Sequence, residues 1–377
     1  MPEKGINQVT ISPIPLLKVH IPETASHEIN KVLSSGFVST GTKTDEFEQD
    51  FGALIDNPNV VATNCCSSAI MLALHMAGIK PGDEVISTPL TCLSVNESLL
   101  HTGANIIWAD IDPETGNISP ASIRSRITDN TRAILYSHWV GRLADINGIN
   151  RLASDYNLKT IEDAASALGG EYDGKPVGTH SDYVTFSFQA VKHITTGDGG
   201  MLAVRTKSEC DRAVLLRNHG NDRHAKRNPF TLGFDVYEAG WKYQMNDIAA
   251  TLGLSQLKIF PEIKKIHRRN LNIYESRLKG ISGLSLLKEY PKAVSNPWIN
   301  TVLVEKREDF ARKLQDHRIG CSIVHMRNDH ITVFGQFQRN NLPALDYFYD
   351  RMMNIPVGWW MSEETVNHVC DVILSGW

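Results

Sequence analysis

From Asn59 to Val204 the chain repeats one rhythm: a short apolar run rich in β-branched residues, then a stretch whose apolar positions fall three and four apart. The short runs are NVVATN, EVISTP, ANIIWADI, RAILYSHW, LKTIEDA, YVTFSF and GGMLAV, and their length and branching predict strands. Between them, SSAIMLALHMAGI, SVNESLLHTG and INGINRLASDYN carry helical spacing. Strands alternating with helices predict βαβ units, hence an α/β fold with a mostly parallel sheet and helices on both faces.

Beyond Gly200 the pattern turns helical. KSECDRAVLLRNHG and NDIAATLGLSQLKIF space their apolar residues at three and four, and a helical link is predicted over roughly 261–279. NTVLVE and CSIVH, read as strands, flank the helical DFARKLQDHR, and SEETVNHVCDVIL opens on a serine cap with acids in its first turn. The expected division is a large α/β domain over residues 1–260 and a small C-terminal α+β domain over 261–377, which suits a chain of 377 residues.

Composition narrows the class. Hydrophobic residues at 42% and charged ones at 21% are ordinary for a globular protein. With 38 basic against 42 acidic side chains, net −4, nothing draws the molecule to nucleic acid or to an anionic membrane. The local exception, RHAKR (Arg223 to Arg227), reads either as a solvated loop or as a contact for an anionic substrate. No apolar stretch approaches the length of a membrane span and the opening residues lack a secretory core, so a cytoplasmic location is expected. Six cysteines show no C-x-x-C spacing, and reduced thiols are expected, with neither metal nor disulfide.

Sheets of this kind bind ligands at the carboxyl ends of their strands. Four places there carry chemistry. In NCCSSAIMLAL the strand turns through Cys65, Cys66 and Ser67 into a helix, whose free amides and dipole suit a phosphate; the competing reading makes Ser67 a simple N-cap. In IEDAASALGG, Glu162 and Asp163 end a strand before two small residues, which suits a carboxylate facing a flat group or one capping a turn. Ser187 in FSF adds a hydroxyl, and Lys192 precedes the glycine-rich ITTGDGG. An amine, an acid and a phosphate cradle on neighbouring strands together suggest pyridoxal 5'-phosphate: the amine holds its aldehyde, the acid keeps its ring nitrogen protonated, and the cradle anchors it.

The sequence also resembles the DegT/DnrJ/EryC1/StrS aminotransferases, which make amino sugars on nucleotide carriers and share the fold type I architecture of aspartate aminotransferase. The resemblance runs from FVSTGTKTDEFEQDF through KPGDEVISTPLT, WADIDPETGNI, IEDAASALGGEYDGKPVGTHSD, FSFQAVKHITTGDGGML and LRNHG to YQMNDIAATLGLSQL. It implies that Lys192 is the lysine that binds the cofactor covalently. Asp163 matches the acid on the ring nitrogen, Ala165 the small residue under the ring, and Ser187 a phosphate-binding hydroxyl. Cys66 and Ser67 fall where relatives more often have Gly-Thr. Lys242 matches a residue that reaches the neighbouring subunit's site, which implies a homodimer with shared active sites.

Departures from the family pattern touch the substrate side. Cys92 stands where relatives carry a ring-stacking aromatic, and Ser166 where they carry Gln or His. IGCSIVHMRNDHITVFG replaces a commoner segment, which makes His325 and Arg327 candidate contacts for the acceptor or structural residues. His193 lies one residue past the lysine position, so it adds to Lys192 and does not replace it, unlike the branch of the family that dehydrates sugars. The resemblance implies transfer of an amino group from L-glutamate to a keto sugar, the sugar of a nucleotide conjugate in surface polysaccharide synthesis. A dehydratase using the same cofactor and a non-catalytic regulatory homologue are the alternatives.

Overall fold

All seven runs read as strands between Asn59 and Val204 lie in one sheet. The computed structural model describes residues 12–222, 235–337 and 341–377, so RHAKR falls outside the described residues. In chain order the strands are β1 (Val60–Thr63), β2 (Glu84–Ser87), β3 (Asn105–Trp108), β4 (Thr131–Ser137), β5 (Lys159–Asp163), β6 (Glu171–Tyr172), β7 (Lys175–Pro176), β8 (Tyr183–Ser187), β9 (Gly200–Val204), β10 (Leu284–Leu286), β11 (Ala293–Val294), β12 (Asn300–Val304) and β13 (Met352–Ile355). The α-helices are α1 (Thr24–Ser35), α2 (Thr42–Leu54), α3 (Cys66–Met76), α4 (Leu93–Leu100), α5 (Pro120–Arg126), α6 (Ile146–Asp155), α7 (Lys207–Leu216), α8 (Asp247–Arg277), α9 (Arg307–Asp316), α10 (Pro343–Arg351) and α11 (Glu363–Leu374).

The large sheet has the order β1-β9-β8-β5-β4-β2-β3. Its pairings are parallel from β8 through β5, β4 and β2 to β3, and β9 alone runs against its two neighbours. The reason is local: the loop between β8 and β9 holds no helix to make a crossover, so the chain turns straight back. Alternate residues of each strand face opposite layers. Ala133 and Leu135 pack with Leu74 and Leu99 of α3 and α4, while Ile134 and Tyr136 pack with Ile149 and Leu152 of α6. Val184 and Phe186 meet Phe47 and Phe51 of α2 and Phe260 of α8.

A second core gathers behind the antiparallel sheet β10-β12-β13, where Val302 and Ile355 meet Phe310 of α9 and Val366, Val369 and Ile373 of α11. Helix α8 serves both cores, through Phe260 in one and Leu271 and Tyr274 in the other. It runs unbroken through Pro261, where the sequence pattern suggests a new start. Burial of Phe260 and Ile263 on either side offsets a helical proline's cost of about 3 kcal/mol. CSIVH is not a strand: only Ser322 bridges to Asn354, and the chain then leaves for the site.

Candidate active site

The carboxyl ends of β4, β5 and β8 carry Ser137, Asp163 and Ser187. Residues 162 and 163 are neighbours on one strand and therefore face opposite sides. Glu162, fully buried, accepts from the Tyr136 hydroxyl at 2.9 Å and pairs with His138 Nε2 at 3.0 Å. Burial pushes its carboxyl up, but the hydrogen bond and attraction of His138 more than offset this and leave it below the usual carboxylate range. Asp163 faces the other way. Its Oδ2 accepts from Ser137 Oγ at 2.9 Å, and Ser137 is joined to Thr91 Oγ1 at 2.7 Å. Its Oδ1 accepts from the Ala165 N–H at 3.0 Å, so the turn-capping role is present as well. Burial raises the Asp163 carboxyl, with the Ala165 bond and the charge of Lys192 opposing.

Lys192 sits on the loop after β8, whose base is closed by Phe188 N–H to Gly199 O at 2.9 Å and Thr196 N–H to Phe188 O at 3.0 Å. Its Nζ donates to Ser166 Oγ at 2.9 Å and lies 3.8 Å from the ring centroid of Trp298. Burial lowers the amine below the ordinary lysine range, against the attraction of Cys92, Asp163 and Cys66. Cys92 is the N-cap of α4 and Cys66 the first residue of α3. Burial, and then the charge of Asp163, push the Cys66 thiol well up, so it stays protonated.

Ser67 is the second residue of α3 and Cys65 is the N-cap, which removes the simple N-cap reading of Ser67. Cys65 places no side-chain acceptor on the first-turn amides, so they remain available to an anion. Gly200 brings β9 against this helix start: a Cβ there would lie 2.6 Å from the Cys65 carbonyl carbon and oxygen and from Cys66 N. Ser187, paired with Gly200 across the ladder, stands beside the same place. This cradle, the Lys192 amine and the Asp163 carboxylate are the donor set that pyridoxal 5'-phosphate requires, and these residues fit it.

The remaining candidates divide. The His325 ring lies near-parallel to Trp298, at 6.3 Å between centroids and 18° between planes, and burial followed by the nearby Lys192 charge lowers it to about 4. Arg327 does not join the site. Its Nε and Nη2 grip Asp329 at 2.8 Å each and Nη1 binds Asp346, so its charge is taken up within its own loop and by α10. Lys242 is exposed, its Nζ donating to Gln244 at 2.7 Å on a segment laid beside the end of β1.

Two residues escaped the sequence reading. Trp298 lies 106 positions after Lys192, and only the aromatic preceding NTVLVE marks it. Asn328 fastens the His325 loop to the turn before α4: its N–H donates to Pro89 O at 2.9 Å, its Nδ2 to Thr91 O at 3.2 Å, and its Oδ1 accepts from Asn96 at 2.8 Å.

A lysine amine, a buried carboxylate and an uncapped helix start, gathered at the carboxyl ends of a mostly parallel sheet, define a pyridoxal phosphate-dependent aminotransferase. The chain belongs to the DegT/DnrJ/EryC1/StrS aminotransferase family, whose model matches residues 20–374. Its structure is similar to that of the sugar aminotransferase CalS13 from Micromonospora echinospora, with a TM-score of 0.92 and 36% identity over 97% of this chain and 100% of that one. It is 32% identical to the spore coat polysaccharide biosynthesis protein SpsC of Bacillus subtilis over 360 residues, 92% of each chain. It is 30% identical to the GDP-perosamine synthase of Escherichia coli O157:H7 over 364 residues, 96% of this chain and 97% of the other.

Proposed function

We propose that this enzyme moves the amino group of L-glutamate onto a keto sugar carried by a nucleotide, for the synthesis of an amino sugar of a surface polysaccharide. The convergence of Lys192, Asp163 and the α3 cradle carries the reading. The similarity to a GDP-perosamine synthase and to a spore coat polysaccharide protein supports the sugar and its carrier. Pyridoxal phosphate, when bound, supplies an aldehyde that takes up and hands on the amino group and a ring that accepts electrons from the reacting carbon.

The chain's own residues do the rest. In this proposal the α3 amides, Ser67 and Ser187 hold the phosphate, and Cys66 keeps its thiol neutral beside it. Ala165 and Cys92 border the ring, and Ser166 orients the Lys192 amine. Asp163 keeps the ring nitrogen protonated, and Lys192 Nζ moves the proton at the carbon that loses or gains the amine. His325, neutral at pH 7, faces the acceptor sugar. Residues 1–260 hold the cofactor and residues 261–377 close over it. Two copies complete the sites, with Lys242 of each reaching the other; the exposed Phe37 and Tyr237 support such an interface. A cytoplasmic setting belongs to the same proposal. No helix among the described residues is long and apolar enough to cross a membrane.

The test supplies L-glutamate with GDP-, UDP- and dTDP-linked keto hexoses and follows products by mass spectrometry. An amino sugar formed with one equivalent of 2-oxoglutarate is expected. Amination of only an unlinked sugar, or sugar conversion with glutamate untouched, contradicts the proposal.

A further inference from the structure

Trp298 is 5% exposed and fixed at two points: its indole N–H donates to Val191 O at 2.6 Å and its backbone N–H to Val140 O at 2.8 Å. Val191 immediately precedes Lys192, whose amine lies 3.8 Å from the Trp298 ring centroid. An aromatic face attracts a cation and gains little from a neutral amine, so the ring favours the ammonium. Burial works in the opposite direction on the same amine. The groups facing Lys192 are Cys92 at the start of α4, Asp163 on β5, Cys66 on α3, His193 next in the chain and His325 from the small domain. Burial holds both histidines neutral at pH 7, leaving Cys92, Asp163 and the ring to favour the charge.

We propose that Trp298 is the positioning residue of Lys192: its ring holds the free amine as an ammonium, and its indole N–H pins the backbone from which that amine reaches the cofactor. In the reaction, the ring favours the ammonium that Lys192 becomes once its free amine has taken the proton from the reacting carbon, and so steadies it as the donor that returns the proton. That consequence rests on the cofactor role given to Lys192, whereas the effect on the ammonium does not.

The test uses the full-length protein freed of cofactor and treated briefly with acetic anhydride across a pH series, with acetylation of Lys192 read by peptide mass spectrometry. Only the unprotonated amine reacts, so the midpoint reports its proton affinity. Trp298→Leu is expected to lower the midpoint by about 0.4–1.5 pH units, and Trp298→Phe, which keeps a ring face, by less. If the leucine variant does not fold, Trp298→Met, whose unbranched side chain adapts to an irregular gap and carries no ring, should show the same drop. An unchanged midpoint overturns the proposal, and so does a rise, which would mean that the indole acts only by excluding water. A drop in the leucine variant together with a wild-type protein that fails to bind pyridoxal phosphate would refute the cofactor reading and leave the Trp298 assignment standing.

Discussion

Gly200 opens β9, paired with Ser187 on one side and Thr63 on the other. A methyl group there would stand 2.6 Å from three backbone atoms of Cys65 and Cys66, whereas ordinary contact begins at 3.4 Å. Backbone cannot rotate aside as a side chain can. In Gly200→Ala, β9 and the start of α3 must therefore part by about 0.8 Å, the difference between those two distances. Overpacking of this kind costs about 1–3 kcal/mol. The larger effect falls on the cofactor, because the displaced amides are those assigned to its phosphate. A shift approaching 1 Å in a positioning group costs about a hundredfold, so affinity for pyridoxal phosphate should fall by about ten- to a hundredfold. Titration of cofactor into the stripped protein, followed by visible absorbance, reads the affinity, and circular dichroism checks the fold. A folded Gly200→Ala protein with wild-type affinity would refute the placement of the phosphate at α3.

Lys192→Ala should abolish amino transfer while the protein stays folded, because it removes the amine assigned to the cofactor; near-normal turnover would remove Lys192 from the mechanism. Asp163→Asn should lower turnover by at least about a hundredfold. It should also stabilise the cofactor-free protein at neutral pH. Burial raises the folded-state pKa of Asp163, so the stability this group contributes is full below the unfolded value and lost as pH rises through the folded one. Thermal melts of both proteins across pH check the sign, and destabilisation by the asparagine at pH 7 would contradict it. Asn328→Ala should cost about 1–3 kcal/mol by leaving Asn96 and the Thr91 and Met326 carbonyls short of partners; an unchanged melting temperature would show that the clasp carries no weight.

What was legible in the sequence follows from how local each signal is. The central strands announce themselves because buried parallel strands are runs of branched apolar residues, and Val85, Ile86, Ile134 and Ile161 are all fully buried. The reversal of β9 was not legible, since direction depends on the loop before it and not on GGMLAV itself. CSIVH has a strand's composition, but its partner is a single residue, Asn354, and Asn328 draws the chain away toward α4. The cluster around Lys192 could be read because each residue follows a strand. Trp298 could not, because its meaning lies in contacts with Val191 and Lys192 more than a hundred positions earlier. For Arg327 the sequence left a substrate contact and a structural role both open, because its partners Asp329 and Asp346 come together only through the fold of the loop onto α10.

On the function proposed above, Lys192 and Asp163 together operate a bound pyridoxal phosphate. An absorbance spectrum of the full-length protein with the cofactor, taken before and after L-glutamate, tests it most directly. A visible band that glutamate bleaches toward the near ultraviolet, and that Lys192→Ala lacks, is the predicted result. No visible band in the wild-type protein, or the same band undiminished in Lys192→Ala, would contradict the account.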